Sequence, residues 1–471
     1  MEFQVRAFLG AFLILSMVEN YWGFTNVYPK MKGYPLGIEE DVGNPLFLTP
    51  YIESGKIEEA KKAASVIHTE MKDVRSYSGY LTVDKKLNSN MFFWFFPARV
   101  DQKSAPVVLW LQGGPGATSL YGLFTENGPF MVTKKLTLAM RKYTWSINHN
   151  LLYIDNPVGT GYSFTEHSEG YARNETDVGE NLHRALVQFF QLFHELQPND
   201  FFVTGESYAG KYVPALAYTI HTKKDTSPVK INLKGLAIGN GLTDPIHQLN
   251  YGDYLYQLGL IDFNGLEQFH VYQKRGIDFI SQSKYDEAFQ VFNQLINGDL
   301  DTTPSLFQNL TGFNFYFNYL KTQDSNESQW VAEWIQKADV RKSIHVGNCS
   351  FNFEATIVED HLKTDITRSE ADKVAILAQH YRTLIYNGQL DIIVAYPLTE
   401  NYLMNLQWPG AEAYKKAART KWIVDGEIAG YAKTAGNLIE VLVRNAGHMV
   451  PGDQPKWALD LITRFTSGKP I

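Results

Sequence analysis

The residues best suited to chemistry begin with Ser207, in the stretch TGESYAGKYVP from Thr204 to Pro214. Gly205 stands two places before the serine and Gly210 three places after it. An apolar, strand-like run, Phe201 to Val203, precedes this corner, and a helix-like run, Tyr212 to Ile220, follows it. A serine on so tight a strand-to-helix turn has its hydroxyl pushed out over the carboxyl edge of the sheet, which suits a nucleophile. A hydroxyl is inert without a base, and the base needs an acid to orient it. Two later residues supply both. Asp391 lies in NGQLDIIVAYP and His448 in NAGHMVPGDQP, each in a loop directly after a strand-like run. Acyl transfer also needs donors for an oxyanion. The run Val107 to Leu111 ends in QGGPGATS, a glycine-rich corner that leaves backbone N–H groups exposed. It lacks the G-K-[ST] of a phosphate-cradling loop. The backbone N–H groups of Gly114 and Tyr208 are the expected oxyanion donors.

These loops need a frame that brings them to one edge. Six runs read as strands: Ala105–Gly113, Leu151–Asn156, Phe201–Gly205, Leu233–Asn240, Arg382–Gly388 and Leu438–Asn445. Continuous apolar runs of this length suit a mostly parallel sheet covered by helices on both faces. Between the second and third, Leu182, Leu186, Phe189, Phe190 and Phe193 recur at helical spacing and read as core. The segment from about 246 to 360 is rich in Tyr, Phe, Gln and Asn. Its helical pieces, Phe263 to Arg275, Asp286 to Ile296 and Gln329 to His345, have no strong strand between them. It reads as a helical cap inserted into a single α/β domain spanning 23–471, and strand signals resume after it. A strand, a sharp G-x-S turn and a helix together form the nucleophile elbow of α/β-hydrolases, with triad order Ser, Asp, His.

The chain has 471 residues, 44% hydrophobic and 14% aromatic, enough for one large core. A net charge of −7 with no basic stripe argues against nucleic acid and against acidic membrane surfaces as partners. Arg6 precedes the apolar run Ala7–Val18, which has the length of a signal-peptide core and is short for a membrane span. Residues 1–22 are therefore expected to be a signal peptide, cleaved between Ser16 and Thr25, after which no membrane attachment is expected. Four N-x-S/T sequons, at Asn174, Asn309, Asn326 and Asn348, agree with entry into the secretory pathway. The single cysteine, Cys349, excludes an intramolecular disulfide. It reads as a partly buried bystander.

At this point the sequence resembles the serine carboxypeptidase family. The matching pieces are WLQGGPGATS (110–119), ENGPF (126–130), DNPVGTGYSF (155–164), TGESYAGKYVPALA (204–217), IGNGLTDP (238–245), NGQLDIIV (387–394) and AGHMVPGDQP (446–455). They cover nearly the whole mature chain in the family's order. Within the family, Gln before Gly-Gly and NGQLD at the acid are similar to the animal branch of vitellogenic-like and insect venom carboxypeptidases. The resemblance implies an α/β-hydrolase fold with a helical cap, no metal or cofactor, and removal of single residues from the C-termini of peptides and proteins. It also implies that Gln112 with its neighbour Gly113, Glu126 and Glu206 hold the substrate's free carboxylate. Gln112 departs from the commoner Asn by one methylene. Ala117 stands where the family usually has Cys, and Gln389 where the acid motif often has a second Asp. Some members are dimers, but no feature of this sequence fixes an oligomeric state. Two rival readings stay open: acyl transfer to an alcohol instead of water, and a catalytically silent protein that binds a partner. Partitioning toward an alcohol nucleophile would mark the first, and failure of an organophosphate to label Ser207 the second.

Overall fold

A computed structural model describes residues 40–71, 73–298 and 303–471. The expected signal peptide lies outside the described residues. The described residues form twelve strands: β1 (Tyr77–Asp84), β2 (Ser89–Phe96), β3 (Val107–Leu111), β4 (Phe130–Val132), β5 (Leu138–Met140), β6 (Asn150–Ile154), β7 (Phe201–Glu206), β8 (Leu233–Gly239), β9 (Arg382–Gly388), β10 (Arg419–Val424), β11 (Glu427–Ala435) and β12 (Leu438–Val443). Ten of them make one sheet in the order β1-β2-β6-β3-β7-β8-β9-β12-β11-β10, and β4 and β5 pair separately. The six central strands, β6 to β12 in that order, are mutually parallel. They are the six that the apolar runs predict. The outer pairs β1–β2 and β10–β11 are antiparallel.

The apolar runs follow from burial on both faces. Along β3, Val107, Leu109 and Leu111 enter one core, while Val108 and Trp110 enter the other. β2 does the same. Phe95 packs on Phe193 at 4.8 Å between ring centroids, and Trp94 turns to Phe124 at 5.9 Å on the opposite face. Burying each such ring contributes roughly 1.5–3 kcal/mol.

Nine longer or site-relevant helices flank the sheet: α1 (Glu175–Leu192), α2 (Ala209–Lys223), α3 (Phe263–Ser281), α4 (Tyr285–Phe292), α5 (Glu327–Ile335), α6 (Ala338–Ser343), α7 (Thr356–Ile366), α8 (Ala371–His380) and α9 (Pro455–Ser467). Helix α1 starts at Asn174, whose Oδ1 accepts from the Asp177 N–H at 3.0 Å, a side-chain N-cap. Its Leu182, Leu186, Phe189 and Phe190 are buried, as their spacing predicts. Helix α9 covers the other face, where Phe465 packs on Phe202 at 5.6 Å.

Between β8 and β9 the described residues contain helices and loops and no strand of the sheet. The stretch read as one helix from Gln329 to His345 is two. The chain turns extended at Lys337 (ψ 142°), whose Nζ donates to the Leu136 carbonyl at 2.6 Å. That long-range bond and the buried Trp334 outweigh continuation of the helix.

Candidate functional site

Ser207 is the residue between β7 and the first turn of α2, and its φ is +64°. A non-glycine residue in this left-handed region costs of order 1–3 kcal/mol and persists only where its surroundings impose it. Here the Ser207 N–H donates to the Gly239 carbonyl at 3.0 Å, and the Ser207 carbonyl accepts from Leu242 N–H at 3.0 Å and Gly210 N–H at 2.9 Å. The turn is thus clamped between β8 and its own helix.

The same clamp reaches the candidate acid. Gly239 is followed by Asn240, itself at φ +43°. Asn240 Nδ2 donates to Asp391 Oδ2 at 2.7 Å, and Asn240 Oδ1 accepts from Gly388 N–H at 3.1 Å. Asp391 Oδ2 also receives His448 Nδ1 at 2.8 Å, and Oδ1 receives the Ile393 N–H at 3.1 Å. Three donors therefore converge on one buried carboxyl group. The Asp391 and His448 side chains are fully buried. The imidazole is held from outside as well: its backbone N–H donates to Phe317 O at 2.7 Å, and its ring lies 4.9 Å from the Phe317 ring. The hydrogen bond to Asp391 sets the tautomer with the proton on Nδ1, leaving Nε2 as the free base. Among the described residues Nε2 has no hydrogen-bond partner, so no bond from Ser207 reaches it in this structure. Catalytic hydrogen bonds are often long before substrate binds.

Gly113 and Gly114 bring a second loop against the elbow. A Cβ on Gly113 would stand 2.4 Å from the Tyr208 backbone nitrogen and 2.7 Å from Ser207 Cβ, so only glycine leaves that N–H approachable. Gly114 has φ +106°, a conformation that L side chains rarely adopt. Both candidate oxyanion donors thus lie at one corner, beside the N-terminus of α2.

Gln112, Glu126 and Glu206 form a buried polar group next to this corner. Trp110 Nε1 donates to Gln112 Oε1 at 2.9 Å. This fixes the amide so that its Nε2 donates to Glu206 Oε1 at 2.7 Å. The longer Gln side chain thus bridges Trp110 and Glu206. Burial pushes the Glu126 carboxyl up to about 7, against the pull of Glu206, Gln112 and Arg141. Among the described residues neither Glu126 oxygen meets a partner at full hydrogen-bonding geometry. Glu206 is raised well above the ordinary carboxylate range, first by burial and then by the charge of Glu126. Two buried carboxyl groups side by side favour holding a proton over a double negative charge.

All four sequon asparagines, Asn174, Asn309, Asn326 and Asn348, are exposed. Cys349 is half-buried and unpaired to another thiol, and burial raises its thiol pKa. Sequence reasoning missed Asn240 and Phe317. Asn240 stands in a conspicuous Gly-Asn-Gly after a strand, which is a readable signal. Nothing local marks Phe317.

A family model described as serine carboxypeptidase matches residues 67–468. The chain is 65% identical to the venom serine carboxypeptidase of Apis mellifera, over 95% of this chain and 96% of that protein. It is 50% identical to the vitellogenic carboxypeptidase of Aedes aegypti over 90% of each. To the probable serine carboxypeptidase CPVL of Homo sapiens it is 47% identical over 95% of this chain and 94% of the relative. Among solved structures, a prohormone-processing carboxypeptidase from Saccharomyces cerevisiae, Kex1(delta)p, superposes with a TM-score of 0.75 at 23% identity, covering 87% of this chain and 96% of that one. The fold is that of the α/β-hydrolases.

Proposed function

The chain belongs to the serine carboxypeptidase family, and from that premise we propose that Ser207 is the nucleophile, His448 its base and Asp391 the orienting acid. The observation that carries this is the buried Asp391–His448 pair, 2.8 Å apart, held by Asn240 at the same sheet edge as a positive-φ serine. Ser207 Oγ attacks the last peptide carbonyl while His448 Nε2 takes its proton. Asp391 holds the Nδ1–H and stabilises the imidazolium that forms. The N–H groups of Gly114 and Tyr208 receive the oxyanion. His448 then protonates the departing amino acid, and water resolves the acyl-enzyme on Ser207.

Gln112, Gly113, Glu126 and Glu206 take the substrate's free carboxylate. A protonated Glu126 or Glu206 donates to it; once ionised, both repel it. Peptide binding therefore weakens as pH rises through the Glu126 value of about 7. His448 opposes this at low pH, since it must be neutral to act as base. Hydrolysis is best at mildly acidic pH. The helical segment from about 246 to 360 serves as a cap on a single domain. The chain enters the secretory pathway through its first 22 or so residues and carries glycans at Asn174, Asn309, Asn326 and Asn348. An acidic compartment or the extracellular space is its destination.

The test is release of the C-terminal amino acid from a blocked dipeptide at roughly pH 5, with Ser207→Ala as control. We expect release by the natural chain and a loss of roughly five to six orders of magnitude in the variant. Absence of release by folded, glycosylated protein would overturn the assignment.

A further inference from the structure

Behind the serine corner lies a buried charge that takes no part in the steps at Ser207. Lys211 is in the first turn of α2, and its side chain is fully buried. Both facts are locally unfavourable: a helix N-terminus disfavours a cation, and a buried ammonium needs acceptors for its donors. The compensation comes from 154 positions away. Lys211 Nζ meets Asp365 Oδ2 at 2.8 Å and also donates to the Asp365 backbone carbonyl. Asp365 is in the last turn of α7, so the ammonium sits at a helix C-terminus, where a cation is favoured. Tyr208 closes the group. Its hydroxyl donates to the same Asp365 Oδ2 at 3.4 Å, and Lys211 Nζ lies over its ring, 5.3 Å from the centroid. The residue whose N–H is assigned to the oxyanion is thus gripped at its side chain by an ion pair between α2 and α7.

The neighbouring acids leave Lys211 to Asp365. Glu370 pairs with Lys373. Glu175, the first residue of α1, is buried, and among the described residues neither of its oxygens has a hydrogen-bond partner. Burial, and after it the charge of Asp365, hold the Glu175 carboxyl well above the ordinary range, against the pull of Lys211. This favours its protonated form, so one ammonium balances one carboxylate. The backbone is tied at the same place. Thr243, in the loop after β8, donates from Oγ1 to the Gly210 carbonyl at 2.9 Å, and its own carbonyl accepts from Glu370 N–H at 2.9 Å. The chain after α7 is therefore fastened to the first turn of α2 beside the ion pair. A charge-assisted pair excluded from water has a narrow range of geometries, which suits a part that must hold a donor in place.

We propose that Lys211 and Asp365 are positioning residues for acyl transfer: through the Tyr208 side chain they hold the Tyr208 N–H where the oxyanion develops. The proposal rests on the carboxypeptidase reading above, and its test separates the two. The test variant is Lys211→Met/Asp365→Asn, which removes both charges together, because Lys211→Met alone strands a buried carboxylate. Two readouts are taken: kcat and KM on a blocked dipeptide, and inhibition by a blocked phenylalanine aldehyde against the corresponding alcohol. Ser207 Oγ adds to the aldehyde carbon, the carbonyl π bond opens onto its oxygen, and the serine proton passes by way of His448 to that oxygen. The alcohol makes the same ground-state contacts and forms no adduct, so the ratio of the two inhibition constants reads the tetrahedral adduct alone. We expect kcat per folded molecule to fall roughly 10-fold with KM unchanged, and the preference for aldehyde over alcohol to shrink by a similar factor. Should the double variant fail to fold, Asp365→Asn, which keeps the backbone carbonyl for Lys211, is read in the same way, with an expected loss of roughly 3-fold. A lower melting temperature with kcat and the aldehyde preference intact, or a rise in KM alone, would overturn the proposal. If the natural chain shows neither turnover nor an aldehyde preference, the catalytic reading is wrong and the positioning role goes with it. If the natural chain shows both and the variants match it, only the assignment of Lys211 and Asp365 is wrong.

Discussion

Two buried carboxyl clusters flank Ser207, and they are built in opposite ways. On one side Asp391 receives three donors, from His448, Asn240 and the Ile393 backbone, at 2.7–3.1 Å. On the other side, among the described residues, neither oxygen of Glu126 and one oxygen of Glu206 meets a partner at full hydrogen-bonding geometry. Residues of the same chemical class, at similar burial, are thus committed differently. The first carboxyl group is fully occupied by the protein and can only orient and stabilise an imidazole. The second pair keeps unspent hydrogen-bonding capacity and a raised affinity for protons, which a substrate carboxylate can use. The difference lies in the supply of donors, not in the acids themselves.

The strongest way to break the comparison is to remove the charge on the saturated side while keeping its shape. In Asp391→Asn the side-chain amide presents a donor or a weaker acceptor to His448 Nδ1 and favours the wrong tautomer. We expect kcat to fall by roughly 10⁴ with KM little changed, measured on a blocked dipeptide. A KM effect as large as the kcat effect would mean that Asp391 belongs to binding, and the two clusters would no longer be distinct in role.

What the sequence made legible follows the same physics. The six parallel strands announce themselves because both faces are buried, as the alternation of Val107, Val108, Leu109 and Trp110 between two cores shows. β10 does not: Arg419, Thr420, Lys421 and Ile423 are exposed while Trp422 and Val424 are buried, a half-covered edge strand with a short, mixed pattern. β2 carries as strong an apolar run as β3 and could have been read. Ser207, Asp391 and His448 could be proposed from the sequence because each sits in a specialised loop after a strand, and the structure places all three loops at the same end of the parallel strands. Asn240 has a role only through a contact 151 positions away, and the Phe317 ring over His448 depends on how the helical segment folds back. Such roles are made by tertiary approach and leave little local trace.

A second prediction sharpens the donor-poor side. Glu126 and Glu206 have folded-state pKa values raised above those of the unfolded chain, so the folded state holds protons that the unfolded state releases. The stability that Glu126 contributes is present at acid pH and is lost as pH rises from about 4.5 to about 7, and Glu206 acts in the same direction. The melting temperature should fall across that window. The double variant Glu126→Gln/Glu206→Gln should flatten the fall, since an amide does not titrate. In the same variant the KM for dipeptides should lose most of its rise with pH, a change of roughly 10-fold to 100-fold at pH 8 relative to the natural chain. Substrates lacking a free carboxylate should show no such rise in either protein. Identical pH profiles of KM for both substrate types in the natural chain would remove the pair from carboxylate binding.

The smallest effect belongs to Asn240, and it asks whether saturation of Asp391 matters. Asn240→Ala deletes one of three donors and also the acceptor for Gly388 N–H, so the loop that carries Asp391 is loosened at two points. Asp391 keeps His448 and the Ile393 N–H, and the imidazole stays in its tautomer. Losing one hydrogen bond to a carboxylate costs about 1.5–3 kcal/mol where it is fully expressed. Only the part that differs between ground and transition state reaches kcat, and we expect a loss of roughly 10-fold there with KM unchanged. A merely structural role would lower the melting temperature and leave kcat per folded molecule intact. A positioning role also shifts the acid limb of the kcat–pH profile, because the carboxylate that stabilises the imidazolium is no longer held by all its donors. If that limb does not move and kcat is unchanged, two donors suffice, and the contrast between the clusters reduces to the presence of His448 on one side and its absence on the other.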